Sequence, residues 1–190
     1  MTAETSKNTN AKTGKKTKFD QVDLANLALK HDQKGTQAQH FDMRIDAMGQ
    51  WYHQGGLIKR QALVKLFANV LTKLGDGQYW LITPAERGVI EVEDAPFFVN
   101  RLDVSGSGQG QLITLTTTLD DAVVLGAAHP LRVSQNPVQG TNGQPRPYVR
   151  IRGELEALIA RSVFYELAEL AVEEDGRFGV WSDGMFHLLD

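Results

Sequence analysis

Residues 51–79 read WYHQGGLIKRQALVKLFANVLTKLGDGQY, and residues 148–178 read YVRIRGELEALIARSVFYELAELAVEEDGRF. Each stretch opens as a strand that meets a glycine step, Trp51 to Gly56 in the first and Tyr148 to Gly153 in the second. Each then enters a helical pattern carrying Ile-x-Arg, at Ile58 to Arg60 and Ile159 to Arg161. An Asp-Gly pair and an aromatic strand follow both times: Asp76, Gly77, Tyr79 and Asp175, Gly176, Phe178. The offset is 101 at the arginines and 99 at the Asp-Gly pairs, so the copies align with one small gap. A duplication is preferred here to a coincidence between two common strand-helix-hairpin units. Two related halves that each bury one face pack together and leave a crevice, a common place for a ligand.

Working outward, Phe41, Met43 and Ile45 alternate with Asp42, Arg44 and Asp46 before Gly49 turns the chain into Trp51, which predicts a half-buried hairpin. Leu63, Leu66, Phe67, Val70, Leu71 and Leu74 fall at helical spacing and predict a helix of roughly four turns. Strands are expected at Tyr79–Ile82 and at 88–92, with Thr83 and Pro84 turning between them. Beyond Pro96 the chain turns β-rich: 97–104, 111–119, 122–125, 131–133 and 148–152 read as strands, with a loose connection at 105–110 and a long surface loop at 134–147. Leu155, Leu158, Ile159, Val163, Leu167, Leu170 and Ala171 predict a long helix over 154–173, followed by two short strands about Asp183-Gly184. The fold class is therefore α+β, with an N-terminal domain at 19–90 and a β-rich domain at 91–190.

The 190 residues, 42% of them hydrophobic, suffice for a core. Twenty basic residues against 23 acidic ones argue against nucleic acid as the main partner. Charge is uneven: five lysines against Glu4 leave residues 1–18 at +4 and residues 19–190 at −7. The first 18 residues carry no aliphatic side chain larger than Ala after Met1 and read as a disordered basic tail. Asp20 caps an expected short helix over 22–30. No apolar run reaches the ~18–20 residues that a membrane helix needs, and no signal core precedes the fold. A cytoplasmic location is expected. The absence of cysteine removes disulfides, thiolate metal sites and cysteine nucleophiles.

Gly49-Gln50-Trp51, Gly55 to Arg60, Leu63-Val64, Leu66-Phe67, Tyr79 to Glu86 (YWLITPAE) and Val92 to Phe97 (VEDAPF) carry a family likeness. His129-Pro130-Leu131, Pro147 to Arg150 and Arg152 through Arg161 continue it. The chain resembles, over about residues 20–190, the bacterial family called domain of unknown function 1285. The resemblance implies a duplicated α+β fold whose C-terminal half is a small barrel-like sheet with a long helix, superficially like a pleckstrin-homology domain. It also implies a nucleotide-like ligand held between the halves, in signal transduction.

Such a ligand wants rings for its base and fixed cations for its phosphates. Arg60 and Arg161 occupy equivalent repeat positions, Arg150 and Arg152 lie two residues apart on one strand, and Trp51, Tyr79, Tyr148 and Tyr165 supply rings. Thr83 and Glu86 add a hydroxyl and a carboxylate at the Thr-Pro turn. Against this, the arginines could pair with Glu86, Asp94 or Glu154, the rings could be core, and the turn could be structural. Enzyme signatures are missing: the five histidines are not spaced as a helical metal pair, Asp120-Asp121 reads as a turn at a strand end, and the 106–110 glycines lack a P-loop's Gly-Lys. No catalysis, cofactor or metal is expected. The expected partner is a small anionic or nucleotide-like ligand, with a protein partner held by sheet extension as the alternative.

Overall fold

The computed structural model describes residues 39–134 and 145–190. The basic tail, the helix expected at 22–30 and most of the loop at 134–147 lie outside these residues. The first half contains β1 (Gln39–Ile45), β2 (Trp51–His53), β3 (Gly56–Leu57), α1 (Gln61–Asn69), β4 (Leu71–Lys73), β5 (Tyr79–Ile82) and β6 (Arg87–Val92). The second contains β7 (Phe97–Ser105), β8 (Leu112–Thr117), β9 (Ala122–Val124), β10 (Leu131–Ser134), β11 (Arg146–Arg152) and β12 (Leu155–Ile159). Helix α2 (Arg161–Glu169) and the strands β13 (Val172–Glu174), β14 (Arg177–Ser182) and β15 (Met185–Leu188) complete it.

Three sheets result, in the orders β3-β2-β1-β6-β5-β4, β10-β11-β12-β7-β8-β9 and β13-β14-β15. Most neighbours are antiparallel; β1 with β6 and β12 with β7 are parallel. The duplication is plain in the element order: a hairpin, a nine-residue helix and a three-stranded meander run from β2 to β6 and again from β11 to β15. Corresponding turns use residues that accept positive φ. Gln54-Gly55, Asp175-Gly176 and Asp183-Gly184 all place two consecutive residues there, the hairpin geometry that matches strand twist.

The long helix expected at 154–173 is not formed. Leu155, Ala157 and Ile159 are buried in a strand between β11 and β7, and Gly153 (φ +50) makes the preceding turn. The inner positions of β12 continue in phase with Val163 and Leu167 of α2, so one apolar run spans a strand and a helix. The same join occurs in the first half. Helix α1 stops at Asn69, and Leu71, fully buried, pairs with Leu81 as a strand rather than extending the helix to Leu74.

One core serves both halves. Met43, Ile45, Trp51, Val64 and Leu81 from the first are continuous with Phe97, Val99, Ile113, Leu125, Ile159 and Val180 from the second. Polar contacts cross the same junction: Lys65 Nζ meets Asp120 Oδ2 at 2.6 Å, and Gln61 Nε2 donates to the Thr118 carbonyl at 3.3 Å. Helix α1 thus lies over the β8–β9 turn, and this packing creates the cleft described next.

Candidate functional site

Helix α1 buries Val64 and Ala68 on one face, which leaves Lys65 and Asn69 beside that face at the junction. Opposite them, β8 ends in a turn built by Thr117. Its hydroxyl accepts from the amides of Leu119 (3.2 Å) and Asp121 (3.1 Å), while its own amide bonds the Asp121 carbonyl at 2.8 Å. Asp120 is held there at φ +67, the left-handed region that Asp tolerates better than most residues. Lys65, Ala68, Asn69, Leu119, Asp120 and Asp121 enclose a cleft of about 230 Å³ between the two halves. Lys65 holds the Asp120 carboxyl below its usual range, by hydrogen bond first and by charge second.

Arg152 reaches this junction from β11. It donates through Nη2 to the Ala68 carbonyl, and its guanidinium lies 5.2 Å from the centre of the Phe97 ring. Burial lowers its pKa, and the Asp121 charge opposes that shift from nearby. A desolvated cation is therefore held on the carbonyl of Ala68, a residue of the cleft lining, with neutral groups as its direct contacts among the described residues.

The structure separates the other expected site residues. Trp51 is core: it is 1% exposed and stacks on Phe67 at 6.1 Å. Arg60 is the exposed residue before α1 and Arg161 is the first residue of α2, so the two matching arginines sit one helix position apart in register. Arg150 is exposed, whereas Arg152 turns inward, because a bulge between them breaks the two-residue alternation. Tyr165 is exposed on α2. The Thr83 hydroxyl donates to the Glu86 carbonyl (3.0 Å) and accepts from the Glu86 amide (3.1 Å), which closes the turn on itself and leaves the Glu86 side chain exposed.

Tyr148 anchors a polar network around Asp94, and Tyr79 lies within electrostatic reach of it. The Tyr148 hydroxyl donates to Asp94 Oδ1 at 2.8 Å, and Arg146 approaches Oδ2 at 2.5 Å. Arg132 lies 4.4 Å over the Tyr148 ring and grips Glu156 with two hydrogen bonds of 3.0 and 2.7 Å. Tyr79 is close enough to feel both Glu156 and Asp94, although burial is the larger cause of its raised pKa. In this network each carboxylate already faces an arginine, so those arginines are engaged and do not await a further anion. A smaller hollow of about 160 Å³ lies beside β1, where Arg44 sits over Tyr52 and pairs with Glu93.

Lys65, Asn69, Asp120 and Asp121 were not legible as a site. Asp120-Asp121 stood out in the sequence, but nothing there places a helix from the other half over it.

Two family models cover most of the chain: "Domain of unknown function (DUF1285), N-terminal domain" matches residues 31–95 and "Protein of unknown function (DUF1285), C-terminal domain" matches 96–189. The chain belongs to the DUF1285 family. A crystal structure of a DUF1285 family protein from Silicibacter pomeroyi DSS-3 is 42% identical, with a TM-score of 0.74 over 82% of this chain and 85% of that one. A second, from Shewanella baltica OS155, is 23% identical with a TM-score of 0.51 over 68% and 91% and shares the fold. No curated protein matches. The DUF1285 boundary at 95/96 falls between β6 and β7, within the Asp94-Ala95-Pro96 segment.

Proposed function

We propose that this protein binds a small anionic ligand, nucleotide-like in the broad sense, in the cleft between its halves, as a cytoplasmic sensor in signal transduction. The observation that carries the reading is Arg152. A half-buried guanidinium bound to the carbonyl of a cleft-lining residue and packed on a ring has lost hydration and, among the described residues, touches no carboxylate. Lys65 supplies a second cation at the rim, and its ion pair with Asp120 is exposed and so readily given up to a ligand. Calorimetry with inorganic phosphate and a panel of mono- and dinucleotides tests this. Wild type should bind a member of the panel, and Arg152→Met, which keeps the apolar stem, should weaken that binding at least about tenfold, or ~1.4 kcal/mol. Equal binding by the variant, or no binding by this panel or by any other small ligand with an acid group, overturns the reading.

A second reading, a protein-interaction module, is favoured by one feature. Around α2 and the third sheet, Tyr165 and Phe178 are 59% and 57% exposed, and Val172 and Met185 are exposed beside them in the sequence of elements. A stable complex in pull-down that is lost on Phe178→Glu would support it.

A further inference from the structure

The cleft between α1 and the β8–β9 turn is not simply cationic. Lys65 supplies a positive charge in its lining, with Arg152 bound to the Ala68 carbonyl and not itself in the lining, while Asp120 and Asp121 supply two negative ones from a turn whose backbone is fixed by Thr117. A simple anion entering here meets carboxylates as well as a cation. A molecule carrying both signs can instead insert between Lys65 and Asp120, exchanging one exposed ion pair for two at no change in net charge. Size points the same way: about 230 Å³ is below the ~300–1,000 Å³ of pockets that engulf drug-sized ligands. The lining is Lys, Ala, Asn, Leu and Asp, with no ring on which a base would stack.

We infer that the ligand is a zwitterion of about amino-acid size, its acid group toward Lys65 and its ammonium toward Asp120 and Asp121. This rests on the proposed ligand-binding role of the cleft and narrows it. Asn69 at the rim adds an amide that can bond either group.

The test uses the full chain and the common L-amino acids, each compared with its N-acetyl derivative, which keeps only the anion, and its amide, which keeps only the cation. Binding is read by calorimetry and by shifts of amide resonances from 65–69 and 117–121. At least one free amino acid should bind at least about tenfold tighter than both of its blocked forms. Asp121→Asn should abolish that preference while keeping the wild-type circular dichroism spectrum, since the Thr117 hydroxyl holds the backbone amide of residue 121 and not its carboxylate. An N-acetyl form binding as tightly as the free amino acid, or phosphate or a nucleotide binding where no amino acid does, overturns the inference and leaves the anion-binding reading standing. If nothing binds in either panel, both fall.

Discussion

His187 on β15 is 6% exposed, and its Nε2 is buried with no hydrogen-bond partner among the described residues. Burial lowers its pKa below the ordinary 6.5, with the backbone at Ser182 pulling weakly the other way. In the unfolded chain the imidazole takes up a proton near pH 6.5 that the native state refuses, so its contribution is complete above 6.5 and lost as pH falls below it. Urea midpoints measured down that range should therefore fall, and His187→Leu should flatten the acid side of the curve. An unchanged slope in the variant would mean that this ring is not the titrating group. Tyr148 acts at the other end. Burial first, and then the hydrogen bond to Asp94, push its pKa up to about 12. A raised folded pKa gives stability that is full below the unfolded value of 10 and is lost as pH climbs through about 12. Ultraviolet titration of the four tyrosines should show a late phase that shrinks by one tyrosine in Tyr148→Phe.

Among the elements, the β14–β15 hairpin depends on a residue that is not in a turn. A Cβ on Gly179 would stand 2.5 Å from the His187 carbonyl oxygen and 2.6 Å from the Phe186 ring, which itself packs on Trp181 at 5.4 Å. Backbone cannot yield as a long side chain would, so Gly179→Ala should cost about 2 kcal/mol or more, read as a lowered urea midpoint. Gly176→Ala meets nothing within 4 Å, but its φ of +77 makes it costly for a different reason. Position 179 reads as an ordinary strand glycine in sequence, because the clash is with the neighbouring strand. The same limit explains what else was hidden. Alternation at Phe41–Ile45 and the Asp-Gly turns are local signals, and β1, β2, β14 and β15 stand where those signals put them. The stretch 155–167 misled because β12 buries nearly every residue, and a fully buried strand has no period to separate it from a helix. Arg150 and Arg152 were separated by a bulge that no local pattern announces, and Asp120 meets Lys65 only through tertiary packing.

At the scale of the whole molecule, the duplication suggests two units that could fold apart, yet the packing argues otherwise. Trp51, Val64 and Leu81 share one apolar cluster with Phe97, Leu125 and Val180, and Arg152, Lys65 and Gln61 tie the halves at the surface of that cluster. Neither half would keep its apolar face covered without the other, so opening one exposes the core of both. Tryptophan placement lets this be measured. Trp51 and Trp80 report on the first half and Trp181 on the second. In the double variant Trp51→Phe/Trp80→Phe only the second half fluoresces; in Trp181→Phe only the first does. Loss of Trp51 will lower stability, so each variant is compared with its own circular dichroism rather than with the other. Fluorescence and dichroism should give one urea midpoint within each variant, because a shared core transmits the loss to both halves together. Were the Trp181 signal to change at a urea concentration distinct from the dichroism midpoint, the halves would be separate folding units. The cleft between α1 and the β8–β9 turn would then be a hinge free to open on its own, and no longer a fixed site.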